Sequence, residues 1–146
     1  MTGEPAYGQG DASFQAAGGE AGVRQLVEAF YRVMASEPWA ARILAMHPRD
    51  LEVSIDKLSR FLCGWLGGPK LYREKYGSIA IPPAHAHLPI VDEDREAWLS
   101  CMRAALAEQP YAEDFKTYMI TQLNVPASRI VALRQNIEKS EAPRSE

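Results

Sequence analysis

Three histidines, His47, His85 and His87, are the residues of this chain best suited to hold a metal or move a proton. His85-Ala86-His87 is an H-x-H pair, and without an obvious third ligand it is a weak zinc signal. No nucleophile elbow and no Gly-rich phosphate loop accompany them. The two Gly-Gly pairs, Gly18-Gly19 and Gly67-Gly68, sit at helix boundaries and read as turns or caps. Acid–base and nucleophilic catalysis therefore have little material to work with.

A second use for one of these histidines is as the axial ligand of a haem iron, which requires a large apolar box around it. Residues at helical spacing supply such a box: Phe30 and Tyr31, then Leu58, Phe61 and Leu62, then Trp98 and Met102. The same stripes fit an ordinary helical core, and periodicity does not decide between the two.

The elements that must position these residues are helices. Val23, Leu26, Val27, Phe30, Tyr31 and Met34 recur at one-face helical spacing. Pro38 suits the first position of a short helix through Trp39, Ile43 and Leu44, which Pro48 ends. A helix is expected from about Arg49 to Leu66, with Leu51, Ile55, Leu58, Leu62 and Trp65 as its stripe and Gly67-Gly68-Pro69 as its stop. From Pro69 to Pro89 the chain reads as irregular, with at most a short helix around Ala84 to Leu88. Asp92, Glu93 and Asp94 place acid in the first turn of a helix carrying Trp98, Cys101, Met102, Ala105 and Leu106. The last helical region spans about 112–138, and Pro126 is expected to kink or split it near Asn124. Nothing alternates with period two, so the class is all-α.

The chain of 146 residues is the length of one domain, with 47% hydrophobic residues to build a core. Sixteen basic against 19 acidic residues, a net charge of -3, argue against a nucleic-acid partner. No apolar run approaches the roughly 18 residues of a membrane span. The start, Met1 to Gly8, lacks the basic and apolar regions of a signal peptide. Residues 1–12 read as a flexible extension and 141–146 as a disordered tail. Cys63 and Cys101 lie inside helical patterns and read as core thiols, suiting a reducing, cytoplasmic setting.

Between Gly18 and about Leu106 the chain resembles the group II truncated haemoglobins. The resemblance rests on Gly18-Gly19, Phe30-Tyr31, Trp65-Leu-Gly-Gly-Pro69 with Tyr72, Tyr76-Gly77, His85, and Ala97-Trp98-Leu-Ser-Cys-Met102. It implies a two-over-two helical sandwich around haem, occupying residues 13–140, with haem b as cofactor. His85 precedes Trp98 by thirteen residues, the family's spacing for its iron ligand. Helix geometry agrees, since His85 shares a side with Leu88 and Pro89 while His87, two residues on, turns away. The metal ligand is thus expected to be His85, its second ring nitrogen donating to a carbonyl or carboxylate.

On the distal side the resemblance implies that Tyr31 and Trp98 aim a hydroxyl and an indole N–H at the bound gas. His47 falls where many relatives carry tyrosine or phenylalanine, and is a third candidate donor. Ser54 occupies the position where many globins place a distal histidine, and its small side chain would widen access. Leu58, Phe61, Leu62 and Met102 would line the haem, with Lys57 and Tyr72 as candidates for the propionates. A solvated helix face explains Lys57 equally well. Ala84 stands where many relatives have a propionate-binding arginine.

The implied function is reversible binding of dioxygen, CO, NO or similar ligands, with slow release suited to sensing, scavenging or detoxification more than bulk oxygen transport. The alternative is a haem enzyme of peroxidase or nitric-oxide dioxygenase type served by an external reductase. A helical adaptor whose aromatic stripes are only core is the non-haem alternative. Either a monomer or a homodimer accords with the sequence.

Overall fold

The computed structural model describes residues 6–78 and 90–141, with side chains described as far as residue 133. Its helices are α1 (Ala12–Ala16), α2 (Gly19–Ser36), a 3-10 turn (Pro38–Ala40), α3 (Ala41–Ala45), α4 (Glu52–Trp65), α5 (Leu71–Tyr76), α6 (Asp92–Ala107) and α7 (Glu113–Glu141). No strand occurs among the described residues, as the all-α pattern requires.

The stripe expected on α2 is the one it buries: Val23, Leu26, Val27, Phe30, Tyr31 and Met34 are all inside. Each such apolar side chain contributes about 1.5–3 kcal/mol on leaving water. That face touches both α4 and α6, and α6 packs in turn on α7. Two helix pairs, α2 with α4 and α6 with α7, are thereby joined through the α2–α6 contact. Leu62, Cys63 and Leu66 supply the α4 side of the core, and Leu99, Cys101, Met102, Ala105 and Leu106 the α6 side. Both cysteines are free and buried, as expected.

Two helix ends carry sequence-specific fittings. Asp94 accepts the Val91 N–H at 2.9 Å, satisfying a donor at the start of α6. The same carboxylate, only 4% exposed, takes Arg42 Nε of α3 at 2.9 Å. After α4, Gly67 adopts φ +93°, and a Cβ there would lie 2.0 Å from the Gly10 carbonyl oxygen. Next to it, a Cβ on Gly68 would come within 2.6 Å of the Phe14 ring, whose backbone N–H bonds the Leu66 carbonyl. The Gly-Gly turn is the seat on which α1 docks.

Two expectations are corrected. The stretch after Pro69 is not irregular throughout, because Leu71–Tyr76 forms α5, which buries no residue fully and so shows no apolar stripe. Pro126 does not split the last helix, which runs as one element from Glu113 to Glu141. A proline forfeits only its own bond to the carbonyl four residues back, and a helix packed on a neighbour tolerates that cost of about 3 kcal/mol. In the short helical stretch after Pro38, Trp39 is 48% exposed while Ala40 and Ile43 are buried. Of the segment before α1, residues 6–11 are described, and Tyr7 packs on Phe115 and Tyr118 while its hydroxyl meets Asp114 at 2.9 Å. No described helix is long and apolar enough to cross a membrane.

Candidate ligand site between α2, α4 and α6

Tyr31 lies on the buried face of α2, 5% exposed. Its hydroxyl makes no hydrogen bond among the described residues and is not one of the fully enclosed polar atoms, so it keeps an opening to the space beside it. Burial pushes the phenol well above its ordinary ionisation range, so the group stays a protonated donor.

The His47 ring meets the Tyr31 ring edge to face, centroids 5.5 Å apart. His47 Nδ1 stands 2.8 Å from the Ile43 carbonyl oxygen, which can only accept, so Nδ1 carries the proton. In the neutral ring Nε2 is then an acceptor, and only a doubly protonated His47 donates from that side. Trp98 reaches the same region through Phe30. Phe30 is fully buried and meets Tyr31 and Trp98 edge to face, each at 5.0 Å. The half-buried indole also has no hydrogen-bond partner among the described residues.

A second row of part-exposed residues lies on α4. Ser54, Leu58, Phe61 and Trp65 follow the i, i+4, i+7, i+11 pattern and all keep part of their surface exposed. Leu62 and Met102, expected on the wall, are fully enclosed by protein and stand behind it. Tyr72 of α5 packs edge-on against Phe61, centroids 6.4 Å apart, and against Tyr76 at 5.0 Å. Lys57 is exposed, with Nζ 5.4 Å from the Tyr76 ring centroid, so its stem and charge lie along the α4–α5 edge. His85, His87 and Ala84 lie outside the described residues.

The structure also assembles groups that sequence spacing did not reveal. Asp56 accepts Lys75 Nζ and Arg60 Nε, each at 2.9 Å, together with the Tyr76 hydroxyl, and so clamps α5 to α4. These bonds, Lys75 first and Tyr76 next, hold its carboxyl well below the usual carboxylate range. Arg42–Asp94 ties the corner carrying His47 to the helix carrying Trp98. Each residue reads singly as a surface charge or a helix-dipole complement, and only the tertiary structure pairs them. No cluster of three or more His, Cys, Asp or Glu suited to a metal ion occurs among the described residues.

Tyr31 and Trp98, two rigid donors with no partner among the described residues, flank Phe30, and Phe61 and Tyr72 line a cavity of about 300 Å³; the combination suits a flat apolar group that presents a small polar ligand on one face. Comparisons with known proteins point the same way. The chain matches the bacterial-like globin family over residues 12–130. It is 34% identical over 113 residues to "Group 2 truncated hemoglobin YjbI" of Bacillus subtilis (strain 168), covering 77% of this chain and 83% of that protein. The solved group II 2-on-2 hemoglobin from Agrobacterium tumefaciens superposes with a TM-score of 0.78 at 34% identity, covering 89% of this chain and 97% of the other. The truncated oxygen-avid haemoglobin from Bacillus subtilis gives 0.73 at 34% identity, covering 82% of this chain and 98% of the other.

Proposed function

Because the chain belongs to the bacterial-like globin family, as a group II truncated haemoglobin with the two-over-two fold, we propose that it holds dioxygen tightly at a b-type haem and releases it slowly. One observation carries this reading: Tyr31 and Trp98 are two rigid donors, spaced by the buried Phe30 ring, and neither is spent on a partner among the described residues. Haem supplies an iron position at which a diatomic gas binds reversibly. The protein supplies the rest. Tyr31 and Trp98 donate to the gas, and charge-assisted hydrogen bonds of about 1.5–3 kcal/mol each slow its departure. His47, protonated on Nδ1 toward Ile43, orients the Tyr31 ring and does not donate from Nε2 while neutral. Ser54, too short to fill the distal side, leaves a route for the gas to enter.

Leu58 and Phe61 would pack on the macrocycle, with Leu62 and Met102 stiffening them from behind. Lys57 and Tyr72 would meet the propionates along the α4–α5 edge. His85 is the proposed iron ligand, on the resemblance and the spacing to Trp98. The relative described as oxygen-avid supports the tight-binding part of the proposal.

Optical spectra of the ferric, ferrous and CO-bound protein, taken across pH, test this reading. A Soret band with a histidine-ligated ferrous spectrum is expected in wild type and lost in His85→Ala, while His87→Ala retains it. No Soret band after haem titration would sink the proposal, and retention of the histidine-ligated spectrum in His85→Ala would move the ligand elsewhere.

A further inference from the structure

On the opposite face of α4 from Leu58 and Phe61 lies a cavity of about 520 Å³, bounded by the first turns of α2, the stretch of α4 from Asp56 to Cys63 and Leu71 of α5. Its wall contains a polar group that the fold leaves unused. Ser59 is 7% exposed, and its Oγ is buried without a hydrogen-bond partner. Helical serines commonly turn their hydroxyl back to the carbonyl four residues earlier, and this one does not. A buried hydroxyl left unpaired costs about 1–3 kcal/mol.

The charged rim is also incompletely paired. Arg60 spends Nε on Asp56 at 2.9 Å, but its two Nη atoms have no partner among the described residues. Asp56 is saturated by Lys75, Tyr76 and Arg60 and has little capacity for more. Glu20, on α2, makes no ion pair among the described residues. Glu20 and Arg60 are within electrostatic reach of each other without touching, and both line the cavity. Arg24 is already shared between Glu28 at 3.6 Å and Glu52 at 3.4 Å. Beneath these charges, Leu71 and the buried Cys63 give an apolar floor.

We propose that this cavity is a binding site for a small zwitterion of the α-amino-acid class with an apolar side chain, separate from the haem. Its carboxylate takes the Nη atoms of Arg60 and the Ser59 hydroxyl, its ammonium pairs with Glu20, and its side chain rests on Leu71 and Cys63. A simple anion would leave Glu20 facing it, and a simple cation would face Arg60. A dipolar ligand satisfies both ends at once. The site does not depend on haem chemistry, because Arg24 and Tyr31 are separated by seven residues of α2, about 10 Å along its axis.

The test uses the CO-bound holoprotein, titrated with L-leucine and followed through the backbone amide signals of Glu20, Ser59 and Cys63. Saturable shifts are expected at these amides. L-Leucine methyl ester, lacking the carboxylate, and N-acetyl-L-leucine, lacking the ammonium, should each bind about tenfold more weakly, the loss of one charge-assisted bond. Ser59→Ala should also weaken binding about tenfold without lowering the melting temperature, since the hydroxyl it removes is buried and has no partner. Arg60→Gln should weaken binding at least as much. Absence of saturable shifts, equal binding of the ester, or insensitivity to Ser59→Ala overturns the proposal. Displacement of L-leucine by sulfate with equal affinity also overturns it, in favour of a plain anion site.

Discussion

Phe30 meets Trp98 edge to face with ring centroids 5.0 Å apart and planes at 62°. It holds Tyr31 in the same manner, at 5.0 Å and 82°. One buried phenyl ring on α2 therefore sets the relative positions of two donors that come from different helices.

Replacing either donor separates its polar role from its packing. Trp98→Phe and Tyr31→Phe should each speed dioxygen release about tenfold or more, the loss of one hydrogen bond of about 1.5 kcal/mol. Tyr31→Phe should leave stability within about 0.5 kcal/mol, because no described group loses a partner. Stopped-flow release rates for the singles and the double mutant give the coupling between the donors. Unchanged release in Trp98→Phe would reduce the indole to packing.

Alkaline stability should follow the two buried thiols. Desolvation raises Cys63 and Cys101 from an ordinary 9.0 to about 11. Above pH 9 the unfolded chain loses these protons while the folded chain keeps them, so stability is full below that pH and falls as pH climbs toward 11. Tyr111, pushed to about 12, adds to the fall above pH 10. Melting temperatures from pH 8 to 11 should decline in wild type and decline less steeply in Cys63→Ala.

At acid pH the responsible group is Asp56. Its carboxyl is held below the ordinary 3.8 by Lys75, then Tyr76, then Arg60, so its contribution is present above that value and lost as pH falls. Hydrogen exchange should show α5, Leu71–Tyr76, losing protection below about pH 4, ahead of the core helices. In Asp56→Asn the same helix should exchange faster at neutral pH, with little further change on acidification.

Gly68→Ala should cost about 1–3 kcal/mol, the usual range for overpacking, since its Cβ would come within 2.6 Å of the Phe14 ring. Phe14→Leu in the same background should recover part of the loss, because a smaller side chain vacates the contact. Denaturant unfolding of the four variants checks this, and simple additivity would show that the two residues do not press on each other.

How far these features were legible beforehand depended on whether they repeat. The α2 stripe from Val23 to Met34 could be read because a helix buried on one face repeats its apolar residues, and the Asp92–Asp94 start of α6 because its acids cluster. Helix α5 escaped because LYREKY buries no residue fully and is too short to show a period. The split that Pro126 suggested does not occur, because α7 packs on α6 and holds the helix through the proline. In the site, Tyr31, Trp98 and Tyr72 were identified from family motifs and Phe61 from helical spacing, yet the spacer role of Phe30 and the clamp at Asp56 were invisible. Both depend on which helices meet, and neither leaves a pattern along the chain. Ser59 gave no signal either, since a helical serine is remarkable only when its hydroxyl is found without a partner.

The docking of Tyr7 on Phe115 and Tyr118 bears on how the protein is made. Tyr111, just ahead of the last helix, likewise donates to the Ala17 carbonyl at 2.8 Å, so the segment from Tyr7 to Ala17 is anchored by the last helix and the turn leading into it. During synthesis the first helix, α1, emerges more than ninety residues before these anchors exist. Ribosome-bound chains ending before Phe115 should therefore present α1 to proteases, and resistance should appear only once that residue has cleared the exit tunnel.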